Sequence, residues 1–347
     1  MKLSLDQRPN LNAPFSLFYV VIFFIGCSDS DTAPGAPPVA SFTTSDLLTS
    51  IHVTSTSVDP DSPLLKYRWS CSDASFRIDG SGSENAAIII PEGHSESDVL
   101  VTLTVNDGTS ASDATQSVTI PEYTHVRAYG LGTELDAEGS NNASYSWYMD
   151  QGVSGKHSAI NCGPTVVTMA IKWFNENFNL TPEDARKAYR PAGGWWFTDD
   201  VIAYLEDNGA TNFTIRLDDI NDVKTEIDAG NIILLCLDMY YVSAEERSDY
   251  HAHKFYSTPE VGWGHFLLIK GYKEVAGKVF YETYDPYSLG KKYPDGSLKG
   301  MDRYYAAEDL DVSTGRWWDF AIIVTKSDVS AGRLPLNVSD IVHKPGR

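Results

Sequence analysis

Residues 151–170 read QGVSGKHSAINCGPTVVTMA. A cysteine followed by Gly-Pro-Thr and then an apolar run predicts a helix from about Gly163 to Phe178, with the cysteine at its N-terminus. Pro164 suits the first turn, where its missing N–H costs nothing. Val166, Ala170, Trp173 and Phe174 then fall toward a core. A thiol at a helix N-terminus lies at the positive end of the dipole, so Cys162 is expected to ionise readily. Gly163 is expected to let the backbone approach a substrate closely.

Downstream of this helix, Thr181-Pro182-Glu183-Asp184 forms a capping-box-like start for a second helix. A third should start after Thr198 and stop at Asn208-Gly209. NFTIRL is expected to be a strand, and residues 218–229 a fourth helix ended by Gly230. Strands are then expected over 232–241, 265–272, 278–283 and 317–325. Helices first and an antiparallel sheet afterwards make an α+β unit over residues 122–330, followed by an irregular tail over 331–347.

A thiolate nucleophile needs an imidazole partner. Of the eight histidines, His265 has the best setting, in GWGHFLLIKG at the start of an apolar strand. Asp285 follows in YDPY at the end of the next strand, where it can reach the far ring nitrogen and fix the tautomer. Four pieces in this order, Gln151, Asn-Cys-Gly-Pro-Thr, Gly-His-Phe before Gly-Tyr, and Tyr-Asp-Pro, resemble the C39-like cysteine peptidases, which are papain-like in fold. The resemblance runs from about 145 to 325. It implies Gln151 as oxyanion donor, Cys162 as nucleophile, His265 as acid and base, and Asp285 as its orienter. Residues 242–261 form a long insert expected to alter access or specificity. No ATP-binding cassette or membrane domain follows in the sequence, so a transporter-fused leader peptidase is not expected.

Other chemistry-bearing residues have plainer readings. Cys236, mid-strand in IILLCLDM, is expected to be inert core. His251 and His253, with Glu245, Glu246 and Asp249 nearby, are expected to form a solvated loop rather than a metal site. Trp195-Trp196 and Trp317-Trp318 are candidates either for a cleft or for a core. No cofactor or metal is implied.

Upstream, residues 39–121 hold short runs of β-formers separated by turns, which indicates an antiparallel β-sandwich. Asp59-Pro60-Asp61, Tyr67-Arg68-Trp69 and Val105-Asn106-Asp107-Gly108 resemble PKD-type immunoglobulin-like modules. That resemblance implies a spacer or adhesive module with Trp69 in its core. Its acidic turns are read as turn chemistry before calcium binding.

Residues 15–26, FSLFYVVIFFIG, are too short to span a bilayer and suit the core of a secretion signal. The run ends Phe24-Ile25-Gly26-Cys27 and then Ser28-Asp29. This resembles a bacterial lipoprotein signal over 1–26, with Cys27 carrying the lipid and 27–38 as a Pro-rich tether.

Lys and Arg total 27 against 47 Asp and Glu, a formal charge of −20, which argues against a nucleic-acid binder, since that role needs a basic face. Together these readings describe a lipid-anchored or secreted cell-envelope cysteine peptidase. It would hydrolyse peptide or protein substrates through a thioester, with no nucleic-acid partner. The rivals are an acyltransferase or cell-wall peptide amidase on the same fold, and a non-catalytic surface adhesin.

Overall fold

A computed structural model describes residues 35–245, 247 and 249–327. The signal segment, Cys27, the first part of the tether and the tail beyond 327 lie outside the described residues. Among those described, no helix is long and apolar enough to cross a membrane.

The N-terminal part is all β. Strands Phe42–Asp46 (β1), Ser50–Ser55 (β2), Lys66–Cys71 (β3), Ile78–Asp79 (β4), Asn85–Ile89 (β5), Ser97–Asn106 (β6) and Ala111–Ile120 (β7) form two antiparallel sheets, ordered β1-β2-β5-β4 and β3-β6-β7. In β6 every second residue from Val99 to Val105 is buried, the alternation of a strand with one face to a core. Trp69, Val53, Ile88, Leu103 and Ile120 share that core. Trp69 is pinned by its indole N–H, which donates to the Ser83 carbonyl at 2.8 Å.

A short helix, His125–Ala128 (α1), leads into the larger part. There follow Leu135–Ser140 (β8), Cys162–Phe174 (α2), Pro182–Ala188 (α3), Thr198–Asp207 (α4), Asn212–Arg216 (β9) and Asn221–Asp228 (α5). Ile232–Asp238 (β10), Gly264–Val275 (β11), Lys278–Tyr284 (β12), Arg303–Ala306 (β13), Ala307–Trp317 (α6) and Phe320–Val324 (β14) complete it. The sheet order is β13-β12-β11-β10-β14-β9, all antiparallel, with β8 also paired to β11. The whole is a mixed α and β protein with antiparallel sheets.

Helix α2 packs on β10 and β11 and is buried almost all round. It carries two threonines into that interior because each hydroxyl donates four residues back, Thr165 to the Asn161 carbonyl at 2.7 Å and Thr168 to the Pro164 carbonyl at 2.6 Å. The capping box at Thr181 forms as expected: Thr181 Oγ1 accepts from the Asp184 N–H, and the Asp184 carboxylate accepts from the Thr181 N–H.

Several boundaries differ from the sequence expectations. The first helix stops at Phe174, not near residue 178, and the fourth starts at Asn221, not 218. The strand over 232–241 ends at Asp238, whose side chain accepts from the Tyr240 N–H and turns the chain into a 3₁₀ turn. Trp317 closes helix α6 rather than opening a strand, and the last strand starts at Phe320.

The β-sandwich meets the larger part through its β1–β2 turn. Buried Arg127 donates to the Asp46 carboxylate and the Leu48 carbonyl, and the Tyr250 hydroxyl donates to the Leu47 carbonyl. None of these contacts involves Cys162, His265 or Asp285. A chain starting at Glu122 is therefore expected to melt a few degrees lower than one starting at Val39, yet to keep the same rate of Cys162 alkylation. An alkylation rate that falls many-fold on truncation would show that the sandwich builds part of the site.

Candidate active site

Cys162 is the first residue of α2 and is almost fully buried. The turn before it is held from both sides. Asn161 donates through Nδ2 to the Ser154 carbonyl and hydroxyl at 3.0 and 2.9 Å, and Arg186 on α3 donates through Nε to Asn161 Oδ1 at 2.8 Å. The thiol is thus fixed by its neighbours' hydrogen bonds and not by its own packing alone.

His265 is the second residue of β11, beside the carboxyl end of β10. Register explains how Asp285 reaches it. Leu268 of β11 faces Tyr284 of β12, so Asp285 lies just past β12 at the sheet end where His265 sits. His265 Nε2 is 2.8 Å from Asp285 Oδ1. Nδ1 is then the ring nitrogen left to face Cys162, which lines the same cavity. The loop before His265 is clamped by buried Asp238, which accepts from the Gly262 and Trp263 N–H groups at 2.7 and 2.9 Å.

The electrostatics follow from this line of three. Burial pushes the Cys162 thiol up, but the hydrogen bond and charge of His265, with the Phe266 and Gly163 N–H groups, bring it below its ordinary value. Burial pushes the His265 imidazole down, but Asp285 and Cys162 raise it well above the ordinary value. Burial pushes Asp285 up, and His265, the Tyr305 hydroxyl and the Tyr287 N–H hold it below the carboxylate range. A thiolate–imidazolium pair backed by a carboxylate is the state these shifts favour.

Beside the thiol lies a cavity of about 270 Å³, walled by Cys162, His265, Trp195, Trp196, Phe197, Phe266 and Trp317, with Cys236 on its wall. Trp195 is 56% exposed and stands at the mouth, while Trp196 is buried. Gly264 is required by Trp317: a Cβ there would lie 2.4 Å from the indole. Gly163 is required by Trp196, whose Cβ would be 2.8 Å from an added methyl. Both tryptophan pairs therefore send a ring to the cavity. Cys236 is buried on β10, and burial drives its thiol far up, so it stays neutral.

The backbone of Gln151 lies beside the Asp285 end of this line. Its backbone N–H donates to the Pro286 carbonyl at 2.8 Å, next to Asp285. It is buried, in a short 3₁₀ turn, and its Nε2 donates to the Ser158 carbonyl at 3.0 Å. It lies along a separate shallow cleft with Tyr287 and Leu289, outside the aromatic cavity.

The histidine pair of the insert serves packing. His251 stacks on Tyr293 at 3.9 Å and Nδ1 meets the Asp302 carbonyl at 3.0 Å. His253 Nδ1 lies 3.8 Å from Asp309. Among the described residues, Asp59, Asp61 and Asp107 alone bring three ligand-type atoms together. These carboxylates close turns, accepting from the N–H groups of Asp61 and Ser62, of Gly35 and Ala36, and of Thr109 and Ser110.

Sequence reasoning missed Tyr256 and Tyr305, whose hydroxyls donate to Asp285, and Tyr148, whose hydroxyl donates to the Asp285 carbonyl at 2.8 Å. It also missed Phe197 in the cavity wall. The sequence holds 19 tyrosines, but the count does not say which tyrosine reaches which carboxylate.

No family model matches the chain, and no curated protein matches it. Among solved structures, the PKD1 domain of Vibrio anguillarum Epp is 18% identical over 25% of this chain and 98% of its own, with a TM-score of 0.21. A nucleoside hydrolase-related hypothetical protein from Saccharophagus degradans, associated with carbohydrate metabolism, is 24% identical with a TM-score of 0.22. That second match takes in 25% of this chain and 26% of the other, about a quarter of each.

Proposed function

We propose that this chain is a papain-like cysteine peptidase of the C39-like kind, held at the cell envelope by lipid on Cys27 and spaced from it by a PKD-type module. The observation that carries the reading is the buried set Cys162, His265 and Asp285, with Nε2 to Oδ1 at 2.8 Å and the thiol and imidazole sharing one cavity wall. A neutral structural cysteine needs neither partner.

In this reading the Cys162 thiolate attacks the scissile carbonyl carbon, and the carbonyl oxygen takes the negative charge. The tetrahedral species collapses as the C–N bond breaks, and imidazolium His265 gives its proton to the leaving amine. Water then loses a proton to His265, attacks the thioester and releases the acid and the thiol. Asp285 keeps the ring oriented throughout and stays ionised. The aromatic cavity beside the thiol supports a substrate with a bulky apolar side chain next to the scissile bond, since such walls return burial energy of about 1.5–3 kcal/mol for a large apolar side chain.

The test is a digest of a peptide library by the full mature chain and by Cys162→Ala, with products read by mass spectrometry. Cuts clustered beside large apolar residues in the wild type, and none with Cys162→Ala, are expected. Adding a free amine separates the acceptors: amide products in place of acids would mark an acyltransferase. Equal cleavage by Cys162→Ala would sink the reading.

A further inference from the structure

Asp285 has no exposed surface, and both its oxygens are occupied. Oδ1 accepts from His265 Nε2 at 2.8 Å and from the Tyr287 N–H at 2.9 Å. Oδ2 accepts from the Tyr256 hydroxyl at 2.9 Å and from the Tyr305 hydroxyl at 2.6 Å. Tyr305 is fully buried on β13, and Tyr256 is buried in the insert between β10 and β11. Two elements distant in sequence thus converge on the one oxygen that His265 does not use.

We propose that Tyr256 and Tyr305 are positioning residues whose hydroxyls hold Asp285 ionised and aimed at His265, and so preserve the reactive Cys162 thiolate toward acid pH. The proposal rests on the reading of Cys162 as a nucleophile activated by His265. It makes the insert part of the machinery rather than a gate over it.

A buried carboxylate with an unpaired oxygen is costly, and the cost falls on the ionised form. With no exposed surface at Asp285, hydroxyl donors do the work of solvent. Tyrosine suits the task because it remains protonated: burial first, and the charge of Asp285 next, push both hydroxyls well above their ordinary value. The donors therefore persist over the whole working range. Tyr256 also packs edge-on against Tyr287 at 4.9 Å, and Tyr287 stands edge-on to the His265 ring at 6.1 Å. The rings thereby wall the His265–Asp285 contact.

The other groups facing this line keep their places if one hydroxyl is removed. Tyr148 bonds the Asp285 carbonyl. Arg303, on the strand of Tyr305, is engaged by the Tyr250, Ala252 and His253 carbonyls and the Tyr293 hydroxyl. Arg186 from α3 and Cys236 from β10 act on Cys162. Losing either tyrosine hydroxyl leaves Oδ2 with one donor, raises the proton affinity of Asp285 and weakens its hold on the imidazolium. The thiolate then protonates at higher pH.

The test measures the rate of iodoacetamide alkylation of Cys162 across acid and neutral pH, by mass spectrometry of the Cys162 peptide, on the full mature chain. Tyr256→Phe and Tyr305→Phe are each expected to move the acid limb up by about one pH unit, about tenfold slower alkylation at a fixed pH on that limb. Tyr281→Phe is the control. Tyr281 is equally buried, but its hydroxyl donates to the Ile220 carbonyl at 2.7 Å, so its loss should lower the melting temperature and leave the limb in place. Should one clamp variant fail to fold, the other serves the same oxygen and predicts the same shift. A fast wild-type thiol with unmoved limbs in the folded variants overturns the clamp alone, as does an equal shift in Tyr281→Phe. A wild-type thiol that is slow at every pH overturns the nucleophile reading and the clamp with it.

Discussion

Replacing His265 by alanine is expected to lower kcat on a peptide substrate by about 10⁴-fold and to abolish rapid alkylation of Cys162. The size follows from what the imidazole does twice. In the proposed mechanism it supplies the proton for the leaving amine and keeps the thiol ionised at rest. Burial pushes the thiol of Cys162 up, while the hydrogen bond and charge of His265 head the influences that bring it down. With His265 gone, burial remains and only the Phe266 and Gly163 N–H groups are left to oppose it.

The wild-type pH profile follows from the same shifts. The thiol is held low, so reactivity rises as pH climbs through that lowered value. The imidazole is held high, so reactivity falls only as pH climbs through the raised value. The profile of kcat/KM is expected to be a broad bell whose limbs belong to the coupled pair. Alkylation that stays fast in His265→Ala would assign thiol activation to the N-terminus of α2 and remove the ion pair from the mechanism.

The parts of this site that were legible in the sequence are those set by local chemistry. Cys-Gly-Pro-Thr marks a helix start because proline tolerates only the first turn, and α2 begins at Cys162. Gly-His-Phe followed by Tyr-Asp-Pro places a histidine at one strand's start and an aspartate at the next strand's end. Antiparallel register then brings such residues to the same sheet end.

Elements that depend on tertiary packing were not legible. Helix α6, AEDLDVSTGRW, has Ser313, Thr314 and Gly315 in its last turns, all poor helix formers. It is helical because Leu310 and Thr314 are buried, with the Thr314 hydroxyl donating to the Leu310 carbonyl. Strand β8, LDAEGS, alternates apolar and polar residues but holds no β-branched or aromatic residue to mark it as a strand. It forms because β11 offers an open edge, and Gly139 lets the Tyr272 ring approach to 2.8 Å of where a Cβ would stand. Tyr256 and Tyr305 escaped for the same reason: a tyrosine is a hydrogen-bond donor to whatever the fold places opposite it.

Gln151→Ala is expected to lower kcat by about 10²–10³-fold while leaving KM and the alkylation rate of Cys162 nearly unchanged. The ordinary reading of such a glutamine, as an exposed residue in a glycine-rich loop, predicts tolerance of any change. Its burial removes that reading. Its Nε2 spends one of two N–H bonds on the Ser158 carbonyl, which fixes the amide plane and leaves the second N–H available. Its Oε1 is buried and has no hydrogen-bond partner among the described residues. In the proposed mechanism, an amide fixed on one side by Ser158 and free on the other would meet a charge that exists only in the tetrahedral intermediate. It would then act on kcat and not on ground-state binding. Because it touches neither the thiol nor the imidazole, the resting ion pair should be indifferent to its loss. Alkylation and turnover therefore separate the two roles. A variant that loses both together has lost the geometry of the 151–161 loop, and one that loses neither returns Gln151 to loop packing.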